Sequence, residues 1–152
     1  MARKSKSIEY LKEKELRERV RTTNTARQFG FVVQHAERGK VTMRMPVNAR
    51  HKQVHGVVHG GVLAALADTA GGLATYMACP LGTRVATVEM KINFLEAVEA
   101  GSVTAEAEVV RLGRHIAVTD CDLRDDSGRL VAKALMTFFV GPFRKNRKRR
   151  RS

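Results

Sequence analysis

The residues of this chain whose types and spacing could do chemistry are a loop triplet, His59-Gly60-Gly61, and a carboxylate seven residues further on, Asp68. Glycines that open a helix leave the backbone N–H groups uncovered. At a helix N-terminus those groups are unpaired and carry the positive end of the dipole, so they form a site that polarises a carbonyl or holds an oxyanion. Asp68 is the only formal charge in the 31 residues between Lys52 and Arg84. A carboxylate alone in an apolar run is costly without a partner or a task. It suits a general base or a nucleophile, and it equally suits a simple buried hydrogen bond, because glycine pairs before helices are common.

Helical geometry constrains how the two parts cooperate. If the helix begins near Gly60, the nine residues from His59 to Asp68 turn through about 900° and advance roughly 13 Å. Loop and carboxylate then lie on opposite sides, and one chain does not bring them into direct contact. Two copies packed side by side would, each Asp68 reaching the loop of the other.

Metal chemistry is not expected. His51, His55 and His59 recur at four-residue intervals, but their segment is broken by glycine and has no cysteine near it, which leaves it short of a zinc-type ligand set. Cys79 and Cys121 stand in unrelated contexts and suit buried free thiols in a reducing cytoplasm.

The element that positions Asp68 is the apolar run over residues 57–79. It is rich in alanine and carries four glycines as well as His59, and an aspartate near its middle costs about 2.5 to 3.5 kcal/mol in a membrane. A soluble core helix ended by Pro80 and Gly82 fits better. Residues 31–36 and 40–45 alternate around Arg38-Gly39 and predict a hairpin. Downstream, residues 85–94 place Val88, Met90, Ile92 and Phe94 on one face and Thr87, Glu89, Lys91 and Asn93 on the other. Residues 102–111, 115–124 and 130–140 follow as further strands between glycine and aspartate turns, the last of them apolar on both faces. Residues 7–28 predict one charged surface helix with Ile8, Leu11, Leu16 and Val20 in a narrow stripe. A helix apolar all round needs covering, so the sheet is expected to curl about it as a one-helix, five- or six-strand α+β domain.

At 152 residues the chain is one domain, and its net charge of +13 sits in the ends. Residues 1–28 form a basic extension at +5, residues 144–152 a basic tail at +7, and the body over residues 29–143 carries 12 basic and 11 acidic groups. The tail has no interleaved aromatic residue, so it attracts phosphate without a stacking platform for bases. It reads first as a solubilising, disordered end, with contact to nucleic acid or an anionic surface left open. No apolar leader segment precedes residue 28.

The string Gln53-x-His55-Gly56-x-x-His59-Gly60-Gly61, followed by Leu66-Ala67-Asp68-Thr69-Ala70, resembles the signature of hotdog-fold acyl-CoA thioesterases, in particular the PaaI-like branch of the phenylacetate pathway. The resemblance spans about residues 29–141 and neither terminus. It implies a homodimer, or a dimer of dimers, with the active site shared across the interface and no cofactor or metal, coenzyme A being part of the substrate. It further implies that the Gly60 N–H polarises the thioester carbonyl with help from Gln53, that His59 shapes the loop, and that Asp68 of the partner attacks or activates water. Thr87 falls where one branch places a hydroxyl that assists the water. Another branch uses a threonine one turn after the acid, where this chain has Gly72. Coenzyme A contacts are implied at the turn holding Arg111, Gly113, Arg114 and His115, near which the phosphates bind, and at Gly61 of the loop; a solvated turn is the alternative. The acyl pocket is expected among residues such as Leu63, Leu66, Tyr76, Met90 and Phe138. Related hotdog proteins sense an acyl-CoA without cleaving it, but they lack the acid that Asp68 supplies here.

Overall fold

A computed structural model describes residues 9–142; Ile8 and the basic tail over residues 144–152 lie outside the described residues. The predicted hairpin forms as β1 (Val32–Glu37) and β2 (Lys40–Pro46), with Gly39 at φ +79° in its two-residue turn, the left-handed backbone that such turns require. Then come α3 (Gly60–Ala78), β3 (Thr83–Phe94), β4 (Ser102–Leu112), β5 (Ile116–Asp125) and β6 (Leu130–Pro142). The strands form one antiparallel sheet in the order β1-β2-β4-β5-β6-β3. This is the α+β hotdog arrangement of a long helix held against a curved six-stranded sheet.

Small residues let the helix and sheet come close. Leu66, Ala67, Ala70 and Ala74 are fully buried against the strands. A Cβ on Gly71 would stand 2.9 Å from Met136 Sδ and closer still to its methyl group. A buried polar contact across the layer is satisfied, Thr75 and Thr119 sharing a hydrogen bond of 2.8 Å, as buried hydroxyls require.

The helix is not wrapped all round. Val62, Ala65, Thr69, Leu73 and Tyr76, at helical spacing, form a stripe that is only half-buried. Six strands cover one side of a cylinder, and no further element among the described residues covers the other side.

The predicted N-terminal helix is two helices, α1 (Glu13–Thr22) and α2 (Asn24–Phe29). The break falls at Thr23, whose backbone is extended at φ −75°, ψ 130°. The hydroxyls of Thr22 and Thr23 both turn back to the carbonyl of Arg19, a local bonding that competes with helix continuation. Nor does α1 lie merely on the surface. Leu16 and Val20 are buried, and Arg17 donates to the carbonyls of Val33 and Gln34 at an irregularity in β1. One sheet edge is therefore capped by α1. The other edge, β3, pairs with β6 alone and has no buried residue.

Strict alternation along β3 does not hold. The register shifts between Thr87 and Glu89, which makes Val88 the extra residue of a β-bulge. Thr87 pairs with the buried Phe138, and Met90 pairs with the buried Met136. Both Thr87 and Met90 thus face the helix, whereas alternation had put them on opposite faces.

Candidate active site

The loop that leads into α3 is a small closed structure. The His59 N–H donates to the His51 carbonyl at 2.8 Å, Lys52 bridges Val58, and the Gln53 N–H meets the Val57 carbonyl at 2.9 Å. Gly56, at φ +81°, makes the tight return. His51 is fully buried beneath this hairpin; burial, and then Arg50 beside it, lower its pKa. Gln53 is exposed and lies in the same two-armed loop as His59.

His59 is the N-cap of α3, and its Nδ1 accepts the Gly61 N–H at 2.8 Å. Of the two glycine donors expected to face a ligand, that of Gly61 is therefore already engaged. The Gly60 N–H has no acceptor among the described residues, so it is the free donor at the positive end of the helix. A Cβ on Gly61 would meet the His59 ring at 3.0 Å, and one on Gly60 would meet the Phe94 ring at 3.1 Å. The motif reading overlooked Phe94. Its place as the last inward-facing residue of β3, opposite the start of α3, was the available signal.

Asp68 is half-buried, and its Oδ1 accepts the Thr87 hydroxyl at 2.7 Å. The bulge at Val88 produces this contact by turning Thr87 toward the helix. Both residues line a groove of about 450 Å³ between α3 and β3, with Thr69, Gly72, Leu73 and Tyr76 on the helix side, Arg84 and Val85 on the strand side, and Phe138 also on its wall. Gln53, His59 and Gly60 do not line it. The carboxylate and the free donor thus occupy separate places on one chain.

Of the expected acyl-pocket residues, Tyr76 and Phe138 line the groove. Leu63 and Leu66 are instead core residues, and Met90 packs against the core. Gly72 leaves the groove open where a side chain would narrow it toward Phe138. Arg114 lines a second recess of about 360 Å³, built by residues 79–83, the turn after β4 and the end of β6, which meets the Asp68 groove at Thr83. His115 lies in the same turn, where its carbonyl accepts the Val140 N–H, and Arg111 is exposed on β4. Among the described residues no helix is long and apolar enough to cross a membrane. No group of histidine, cysteine and acidic side chains there is placed to hold a metal.

A helix end with a free N–H, a carboxylate steadied by a hydroxyl, and an apolar groove beside that carboxylate are parts that an acyl-transfer hydrolase on a hotdog scaffold uses. Residues 55–132 match the family described as the thioesterase superfamily. The chain is 33% identical over 100 residues to the proofreading thioesterase EntH of Klebsiella pneumoniae, covering 66% of this chain and 73% of that one. Among solved structures, a thioesterase of Haemophilus influenzae superposes with a TM-score of 0.84 at 29% identity, over 91% of this chain and 96% of that one. The PaaI protein of the phenylacetic acid degradation operon of E. coli superposes at 0.77 with 25% identity, over 83% and 90%. The chain belongs to the thioesterase superfamily, and its class of reaction is thioester hydrolysis.

Proposed function

We propose that the protein is an acyl-CoA thioesterase whose active sites form between two copies of the chain. The observation that carries this reading is the separation of Asp68 and Thr87, in their groove, from the free N–H of Gly60. Two further features support a second copy: the half-buried stripe on α3 and the uncapped edge of β3, where Val88 and Phe94 are 60% and 52% exposed. An unprotected edge strand is a template for pairing, and pairing about a two-fold axis would set each groove against the other chain's loop. Outward-facing Ile116, Leu135 and Phe139 supply an apolar surface for a dimer of dimers.

In this reading the Gly60 N–H polarises the thioester carbonyl, Gln53 assists from the same loop, and His59 holds the loop in shape. Asp68 of the other chain, steadied by Thr87, takes a proton from water or attacks the carbonyl carbon itself. On either route the carbon–sulfur bond breaks, sulfur leaves as the thiol of coenzyme A, and the oxygen of one water ends in the released acid. Water is the only co-reactant, and no metal or redox cofactor takes part. Arg114, flanked by Arg111 and His115, suits the coenzyme A phosphates. The buried free thiols of Cys79 and Cys121 fit a cytoplasmic setting.

Complementation tests the shared site. Asp68→Asn and Gly60→Pro chains, each inactive alone, are mixed under conditions that exchange subunits. Half of the dimers are then mixed, and each mixed dimer holds one intact loop facing one intact Asp68, so about one quarter of wild-type turnover returns. No recovery, with mixed dimers demonstrated by mass, would place the site within a single chain.

A further inference from the structure

Two basic segments adjoin the described fold at one place, the recess that holds Arg114. Pro142, the last residue of β6, is part of its lining. Residues 144–151, with seven cations and no acid, begin two residues further on. Leu81 is also in the lining, and its N–H donates to the Glu9 carbonyl at 2.8 Å. That bond ties the residues before Glu9, with Arg3, Lys4 and Lys6, to the same cavity. At no more than about 3.6 Å per residue, Arg144 stands within about 7 Å of Pro142 and Lys6 within about 11 Å of Glu9. The seven cations and the three are therefore tethered around one recess.

The recess is otherwise short of charge for a polyphosphate. Arg114 is its one cationic lining residue, and no acidic side chain lines it. Arg114 has no ion-pair partner among the described residues. Residues 29–143 carry 12 basic and 11 acidic groups, so the positive field of the molecule comes from the two segments. Coenzyme A brings a diphosphate and a phosphomonoester, roughly four negative charges at neutral pH. A cationic mouth concentrates such a ligand and speeds its capture.

Two features of the recess favour a nucleotide over a phosphate polymer. It borders the Asp68 groove at Thr83, so a ligand gathered there is beside the carboxylate. Leu81 and Leu112 line it and are 38% and 43% exposed, which offers a base an apolar surface. A bare polyanion uses neither.

Building on the acyl-CoA thioesterase reading, on which it rests, we infer that residues 144–151, with Arg3, Lys4 and Lys6, capture the coenzyme A phosphates at the Arg114 recess. The basic segments thus act in substrate binding, and the chemical step proceeds without them.

The test changes the seven cations of residues 144–151 to glutamine in the full chain. Hexanoyl-CoA and hexanoyl-pantetheine, which share the thioester and differ in the nucleotide, are assayed at about 0.01 M and about 0.5 M salt, where screening is weak and strong. At low salt the variant's kcat/KM for hexanoyl-CoA should fall about tenfold or more, the lower range of electrostatic capture. Its kcat, and both constants for hexanoyl-pantetheine, should stay unchanged, and high salt should remove the difference between variant and unmodified protein. An unchanged kcat/KM for hexanoyl-CoA at low salt overturns the inference, and if the variant has at the same time lost binding to phosphatidylglycerol vesicles, the segment serves a membrane surface instead. An equal fall for both thioesters also overturns it, since the segment would then act on the fold or the chemistry. If the unmodified protein hydrolyses hexanoyl-pantetheine but not hexanoyl-CoA, the acyl-CoA reading itself fails and takes this inference with it.

Discussion

Gly60→Pro removes a single N–H from the proposed oxyanion site while suiting the backbone it enters. Gly60 is the first residue of α3, the position where proline is favoured because its missing N–H has no intrahelical partner. His59 before it sits at φ −64°, ψ 133°, the extended region that proline imposes on its predecessor. An added Cβ would stand 3.1 Å from Phe94 Cζ, and Phe94 is 52% exposed. Gly60→Ala adds the same Cβ and keeps the N–H, so the pair separates the donor from the Cβ contact with Phe94. Loss of one oxyanion donor costs about 10² to 10³ in kcat, or about 2.7 to 4 kcal/mol. Gly60→Pro should therefore turn over an acyl-CoA at least a hundredfold more slowly than Gly60→Ala, with thermal unfolding nearly unchanged in both. The assay is continuous thiol release at saturating substrate. Equal rates for the two variants would refute the assignment of Gly60 as the donor.

Thr87→Val keeps a β-branched shape on β3 and removes the 2.7 Å bond to Asp68; kcat should fall about ten- to a hundredfold, the range of a hydrogen bond to a charged group, with KM little changed. A fall confined to KM would make Thr87 a binding group instead. Gly71→Ala brings a Cβ against Met136 and should cost about 1 to 3 kcal/mol of stability in a denaturant titration, as overpacking does. Arg114→Ala should raise KM for an acyl-CoA more than for the matching pantetheine thioester, and equal changes would remove Arg114 from the phosphate end. At the β5–β6 turn, bonds from Ser127, ahead of those from Arg129, lower the Asp125 pKa to about 2. A carboxylate held below its unfolded value stabilises the fold above that value, so its contribution is complete above about pH 4 and is lost as pH falls toward 2. Asp125→Ala should flatten that part of the stability profile, and an unchanged profile would refute the turn's role.

Much of the fold is legible in the side-chain pattern, because burial repeats at the period of each element. Residues 57–79 read as a helix opening at Gly60 and stopping at Pro80, and α3 has those ends. The strands after it are equally plain. What the pattern hides is set by the backbone. Counting by twos from Met90 puts Thr87 on the solvent face, yet the likeness to thioesterases puts it beside the acid; the two readings of one residue conflict. The bulge at Val88 resolves the conflict, since one unpaired residue reverses the faces on its two sides. No single side chain announces a bulge, so alternation fails there without warning. The N-terminal break at Thr23 escapes notice for a related reason: the Thr22 and Thr23 hydroxyls compete for carbonyls that a helical wheel does not count.

The same distinction explains why the site was only half legible. Residue types named Asp68, Gly60 and His59, but which glycine keeps a free N–H depends on the imidazole of His59 turning back to Gly61. That contact leaves one donor at the helix end rather than two. A lone donor at the start of α3 and a lone carboxylate in a groove further along lie apart on one chain, and in the proposed reading it is a second copy that brings them together. The same chain leaves a half-buried stripe on α3 and an uncapped β3. If both surfaces are covered by one symmetric contact, dimerisation and assembly of the site are the same event. Activity should then vanish on dilution in step with dissociation, with no active monomer, and turnover per chain that stays constant below the dissociation concentration would break that link.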